Sequence, residues 1–262
     1  MSETTDFYVS WFGCSAFGAV SSRLTAEEPI VFQPTDLSNC SVWLDATDNL
    51  TIHADLSGNV GMWDNKGDLS GSMIPFIGQA APTTNIHMIN GNNTIWFDAY
   101  QSLYLNTSFH NQEFTFFVVT TTLSDLAINN YADWFGGFVT GAFSAGLSEY
   151  LGDYYTGCGA NAIDNYVMNQ DATYPIYKPT IYSIRSSSNT GTNEVRIDGD
   201  SKTLAFNSFS GYLTTATDYA IHYFTHSSSI DISEIIVYNR ALSDAEVLQV
   251  NTYLGSKYTI TI

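Results

Sequence analysis

Residues 232–258 read ISEIIVYNRALSDAEVLQVNTYLGSKY, and the pattern changes period partway through. Ile232 to Tyr238 alternates and branches as a strand does, with Ile235, Ile236, Val237 and Tyr238 at its end. Ser243 then opens S-D-A-E, a capping box in which the serine oxygen takes the Glu246 backbone N–H and the glutamate reaches back. Val247, Val250 and Leu254 follow at helical spacing, and Gly255 is placed to end the helix. A helix this short is marginal alone in water, so its apolar face must lie on something larger.

Upstream, that larger body reads as strands. Short β-branched and aromatic runs broken by Gly, Asn, Asp and Ser recur as SVWLDA (41–46), TIWFDA (94–99), SLYLN (102–106), FTFFVVTTT (114–122), TIYSIRSS (180–187), EVRIDG (194–199) and YAIHYFT (219–225). FTFFVVTTT is apolar on both faces, as a central strand buried on both sides should be. The run SSNTGTN marks a turn, so 180–187 and 194–199 pair as a hairpin. From 125 to 175, Gly and Asn every few residues read as loop. The fold class is all-β.

Composition narrows the function classes. The 262 residues are 44% hydrophobic and 15% aromatic, enough for a large core, while only 13% are charged. With 26 acidic residues against 8 Lys and Arg, the formal net charge is -18. Nucleic acid is excluded as a partner, because it needs a basic stripe that the scattered Lys and Arg do not supply. No segment approaches a membrane span, and MSETTDFYVSW lacks the basic start and apolar run of a secretory signal, so synthesis in the cytoplasm without membrane insertion is expected. Cys14, Cys40 and Cys158 show no C-x-x-C spacing and read as free thiols.

The closing segment, with its Tyr-Asn-Arg-x-Leu-Ser and final helix, resembles that of laminin G-like domains of the concanavalin A-like lectin/glucanase superfamily. SVWLDATDNLTI (41–52), the Trp-Asp-Asn-Lys-Gly turn in SGNVGMWDNKGDLSGSM (57–73), NGNNTIWFDAYQSLYL (90–105), FTFFVVTTT and YSIRSSSNTGTNEVRIDG follow in the family's order. The resemblance covers about 38–258 and implies a two-sheet antiparallel jelly-roll sandwich, assigned to 38–262 with a short C-terminal helix; residues 1–37 lie outside it and read as an N-terminal arm. It also implies that the last strand returns to the middle of a sheet and that the helix closes an end of the core. Function is not implied as tightly, because this fold hosts lectins, glycanases, adhesion modules and virion proteins.

Retaining glycanases of the superfamily carry Glu-x-Asp-x-x-Glu on one strand, two carboxylates about 5 Å apart acting as nucleophile and acid. Here the window is Ser229-Ile230-Asp231-Ile232-Ser233-Glu234. A serine without a base cannot replace the carboxylate, so the site reads as non-catalytic, with Asp231 and Glu234 structural or at most weak ligands, and no enzyme is expected. His222 and His226 are spaced i, i+4 but in a strand pattern, which does not make a metal face, and no metal site or cofactor is assigned. Calcium stays open through loop carboxylates such as Asp45, Asp48, Asp64 and Asp98, too dispersed to define a cage. For binding, Trp134, Tyr150, Asp153, Tyr154 and Tyr155, with Asp133 and Phe135 nearby, combine flat rings with polar groups, which suits stacking on sugar faces or packing against a neighbour.

The arm contains FYVSWFGCSAFGAV (7–20), uncharged and aromatic, and Phe7, Tyr8, Trp11, Phe12 and Phe17 are its candidate docking residues. A lectin-like module with such an arm and no catalytic pair points by analogy to a virion structural or adhesion protein, a capsid decoration or spike of a bacteriophage. Its partners would be other capsid or tail proteins and host-surface glycans, with homo-oligomerisation open. The alternatives are a bacterial carbohydrate-binding or adhesion module and, behind it, a glycanase.

Overall fold

The computed structural model describes residues 32–98, 100–105, 107, 113–123, 131–139, 142–150, 153–158, 167–168, 177–187, 192–202, 206–207, 218–221 and 229–262. Two antiparallel sheets and one C-terminal helix form the body. Sheet A runs in the order β15 (Asp200–Ser201), β14 (Thr192–Ile197), β13 (Thr180–Ser187), β8 (Phe114–Thr122), β18 (Ile230–Tyr238), β6 (Asn92–Phe97) and β5 (Thr83–Ile89), with β1 (Cys40–Asp45) also paired to β18. Sheet B runs β11 (Asp153–Cys158), β10 (Ala142–Tyr150), β9 (Tyr131–Val139), β17 (Asp218–Ile221), β7 (Leu103–Leu105), β4 (Ser72–Pro75), β3 (Val60–Asp64) and β2 (Ile52–Ala54). Two short strands, β12 (Val167–Met168) and β16 (Phe206–Asn207), pair with each other.

The last strand does return to the middle. β18 pairs β8 along its length; on its other side Ile230–Ile232 pair β6 and Glu234–Tyr238 pair β1, the register shifting at Ser233. That bulge lets one strand serve two partners. The predicted hairpin is present, with Ser187 opposite Thr192.

Alternation along the strands of sheet A builds two cores. Inward-facing Val42, Leu44, Ile95, Phe97, Phe116, Val118, Ile230, Ile232, Ile235 and Val237 meet Val60, Trp63, Met73, Leu103, Leu105 and Ile221 of sheet B. Outward-facing Trp43, Ile89, Phe117, Val119, Ile181, Ile236 and Tyr238 meet Val247, Val250, Leu254 and Tyr258 of the helix α1 (Asp244–Tyr258). β8 and β18 are therefore buried on both faces throughout. The helix covers the outer face of sheet A, not an end of the sandwich, because part of that face is apolar as well and needs a cover. Phe32 and Leu37 also pack on this outer core, and the Tyr238 hydroxyl donates to the Pro34 carbonyl at 2.9 Å.

The capping box forms: the Ser243 hydroxyl accepts the Glu246 N–H, and Glu246 accepts the Ser243 N–H at 2.8 Å. Arg240 clamps Glu246 with two hydrogen bonds of 2.9 and 2.6 Å, and this clamp with the cap bonds pulls the carboxyl down to about 2. Gly255 does not end the helix. α1 continues to Tyr258 and stops at Thr259 in the left-handed region (φ 53). Gly255 instead admits the returning tail, since a Cβ there would lie 2.9 Å from the Ile260 carbonyl oxygen.

The Trp-Asp-Asn-Lys-Gly turn is fastened to β1. Asn65 Oδ1 accepts the Trp43 and Gly67 N–H groups at 2.7 and 2.9 Å, and Asn65 Nδ2 donates to the Ser41 and Leu69 carbonyls. Lys66 lies 4.0 Å above the Trp43 ring and pairs with Asp48 and Asp45. Between 131 and 158, where glycine and asparagine suggest loop, the chain forms three long strands instead. Pairing decides here over local propensity: Gly136 stands opposite Gly146, and Gly137 opposite Ala145, so small residues meet small residues across the ladder.

Candidate functional site

The outer face of sheet A divides in two. Beneath α1 it is apolar, with one charged cluster; beyond α1 it turns polar.

The cluster centres on Glu234, 1% exposed. Its Oε1 accepts the Trp43 indole N–H at 2.8 Å and the Tyr253 hydroxyl at 3.0 Å; its Oε2 accepts Lys257 at 2.7 Å and the Tyr258 hydroxyl at 2.9 Å. Asp45, directly opposite Glu234 across the ladder, binds Lys257 at 2.8 Å and Lys66 at 3.3 Å. Burial pushes the Glu234 carboxyl above its usual range, with Lys257 opposing. Burial also pushes Asp45 upward, but Lys257 and the other donors outweigh it and hold the group below its usual range. Glu234 is thus a structural hub, with each oxygen taking two donors, and it offers no oxygen to a sugar. The first position of the window, Ser229, is hydrogen-bonded to Asp98 at 2.7 Å.

Asp231 lies past the helix on the same outer face and is 4% exposed. Its neighbours across the ladders are Trp96 on β6 and Thr121 on β8. Asp231 Oδ1 contacts His87 Nδ1 at 3.0 Å and accepts the Thr94 hydroxyl at 3.2 Å. The His87 ring meets Trp96 edge-on at 5.5 Å. Burial pushes the Asp231 carboxyl upward and the His87 bond opposes it. Two buried polar atoms in this row, Trp96 Nε1 and the Thr121 hydroxyl, have no hydrogen-bond partner among the described residues. Leaving such donors unpaired is costly, and a ligand or water that supplied acceptors would relieve it. Sequence reading isolated Asp231 and took it as structural or at most a weak ligand; it missed His87, Trp96 and Thr121, whose convergence depends on the order β5-β6-β18-β8.

The other sequence-derived candidates fall elsewhere. Trp134, Tyr150, Asp153, Tyr154 and Tyr155 lie on β9, β10 and β11, the meander at one end of sheet B. Tyr150 pairs with Tyr131 and Asp153, Tyr154 with Glu149, and Tyr155 with Ser148. Their side chains lie outside the described residues, as do Phe7, Tyr8, Trp11, Phe12, Phe17, His222 and His226. Of the calcium candidates, Asp45 and Asp48 share Lys66, Asp64 binds His53 at 2.7 Å, and Asp98 binds Ser229, so the four do not meet. Among the described residues, no group of three or more His, Cys, Asp or Glu is placed to hold a metal. Cys40 is a free thiol, pushed up to about 12 chiefly by burial.

No protein-family model matches the chain, and no curated protein matches it. Solved structures do. The receptor-binding domain of botulinum neurotoxin type G is similar at 13% identity and a TM-score of 0.58, covering 83% of this chain and 52% of that one. The serotype D ligand-binding domain, solved in complex with N-acetylneuraminic acid, is similar at 9% identity and 0.56, covering 82% and 50%. Trypanosoma rangeli sialidase in complex with 2,3-difluorosialic acid is similar at 13% identity and 0.56, covering 85% and 34%. The chain therefore spans about half of the neurotoxin domains and a third of the sialidase. At these identities the likeness is one of fold: a two-sheet antiparallel β-sandwich.

Proposed function

We propose that this protein is a non-enzymatic, carbohydrate-binding adhesion module whose glycan contact is the polar half of the outer face of sheet A. The observation that carries the reading is the row Trp96–Asp231–Thr121, in which a carboxylate stands between two buried donors that have no partner among the described residues. A sugar hydroxyl pair both donates and accepts, so it can donate to Asp231 while accepting from Trp96 Nε1 or Thr121. Because Asp231 is acidic and the chain carries -18, the row suits neutral glycans over sialylated ones. The likeness to receptor-binding and sialic-acid-bound proteins supports carbohydrate as the ligand class. Two features support binding without cleavage: Ser229 in place of the first carboxylate, and a Glu234 whose oxygens are all engaged.

The finer placement is a virion surface, as a capsid decoration or spike protein, supported by the uncharged aromatic segment 7–20 suited to docking on other virion proteins. A glycan array carrying neutral and sialylated structures tests the first proposal. Binding to neutral glycans, lost in Trp96→Phe and Asp231→Ala, is expected; an array without hits refutes it. Mass spectrometry of purified particles tests the second, and absence of the protein from them would eliminate it.

A further inference from the structure

The charged cluster beneath α1 holds the components of a covalent bond. Lys257 Nζ lies 2.8 Å from Asp45 Oδ1 and 2.7 Å from Glu234 Oε2. The carboxylate side chains are 6% and 0% exposed and that of Lys257 is 19%, so the two carboxylates are shielded from bulk water. Trp43, Tyr253 and Tyr258 wall the site: Lys257 Nζ is 5.5 and 5.3 Å from the two tyrosine ring centroids, and Trp43 donates to Glu234. Asp45 Oδ1 also accepts the Thr47 N–H at 3.0 Å and the Thr47 hydroxyl at 2.7 Å, two donors for the negative charge that builds on this oxygen when the carboxyl carbon is attacked. Asp45 Oδ2 faces Lys66, whose charge is taken mainly by Asp48 at 2.8 Å, against 3.3 Å to Asp45.

We propose that Lys257 and Asp45 condense to an intramolecular isopeptide bond, with Glu234 as the proton carrier. The Lys257 ammonium passes a proton to Glu234; the resulting amine forms a bond to Asp45 Cγ, and the bond from Cγ to Oδ2 breaks. Oδ2 leaves as water with two of the three ammonium hydrogens, one of them delivered through Glu234, which ends as the carboxylate it began as. One hydrogen stays on the amide nitrogen. Atoms and charge balance within the ion pair, and no oxidant or co-reactant enters. Burial, which raises the Glu234 carboxyl, favours its receiving the proton. In the resting ion pair Asp45 is ionised, so the reactive form is the neutral tautomer, which the donors that hold Asp45 ionised oppose. The product would tie β1 to α1 across 212 residues, a fastening suited to a protein that holds its target under load.

The intact mass of the purified full-length chain reads the bond directly. A mass lower than the sequence by one water is expected. Trypsin should then yield fragment 24–66 joined to 241–262, uncut after Lys257. Lys257→Arg and Glu234→Gln should carry the full mass of their sequences. A wild-type chain at full mass would overturn the proposal, and so would a water loss that maps to a succinimide at Asp198-Gly199. A joined fragment in Glu234→Gln would overturn the role given to Glu234. The wild-type measurement does not depend on whether any variant folds.

Discussion

Substituting Gly67 by alanine isolates what the Trp-Asp-Asn-Lys-Gly turn contributes. Gly67 has an ordinary backbone conformation, so alanine meets no torsional obstacle. The obstacle is space: a Cβ would sit 2.6 Å from the Cys40 and Ser41 carbonyl oxygens. Ordinary contact needs a retreat of about 0.8 Å, which stretches the hydrogen bonds from Asp68 N–H to Cys40 (2.7 Å) and from Leu69 N–H to Ser41 (3.0 Å). Losing two backbone bonds at about 1 kcal/mol each and adding about 1–3 kcal/mol of overpacking gives about 3–5 kcal/mol. For a body of this size that is a fall of about 10 °C in melting midpoint. Gly78→Ala is the control, because Gly78 has a φ of 87 and no atom within 4 Å of the added carbon. Its cost is torsional, about 1–2 kcal/mol. Urea unfolding of both variants decides the matter: if Gly67→Ala is no more destabilising than Gly78→Ala, the fastening of the turn to β1 is refuted.

Three further expectations follow from the two halves of the outer face. Val250→Ala, at a fully buried helix position, should cost about 2 kcal/mol in urea unfolding, while Leu248→Ala on the exposed side stays within about 0.5 kcal/mol. Glu246→Gln keeps a cap but loses the Arg240 pair. Because the folded pKa is depressed, the stability difference from wild type should be present above about pH 4.5, shrink as pH falls toward about 2, and amount to about 1 kcal/mol or less when measured across that range. Asp231 has a raised folded pKa, so its ionised form weakens the fold and its contribution falls as pH rises through that value. Asp231→Asn should leave the pH 7 melting midpoint unchanged or higher while abolishing glycan binding, and a lower midpoint would mark Asp231 as structural.

Much of the fold was legible because its signals are local. The boundaries of β8 and β13 match the runs read from sequence, and the double-sided apolar pattern of 114–122 follows from burial on both faces. Ser243 and Glu246 announce the helix start within four residues. Its end was misread because Gly255 answers to the tail at Ile260 and Ile262, a contact invisible to capping rules. The strands between 131 and 158 were missed because glycines that look like turns are paired with small residues across the sheet. At the site, the window 229–234 could be found by spacing alone. The consumption of Glu234 by four donors, and the alignment of Trp96 and Thr121 beside Asp231, depend on which strands become neighbours.

The indole N–H resonances of the five tryptophans test the central claim most directly. Titrated with a neutral glycan that binds, the labelled protein should shift the Trp96 signal, which gains an acceptor, while the buried Trp43 signal, already bonded to Glu234, stays in place. No new reducing ends should appear in the tube. A shift confined to Trp134, on the β9–β11 meander, would contradict the site assigned to sheet A, and release of reducing ends would contradict binding without cleavage.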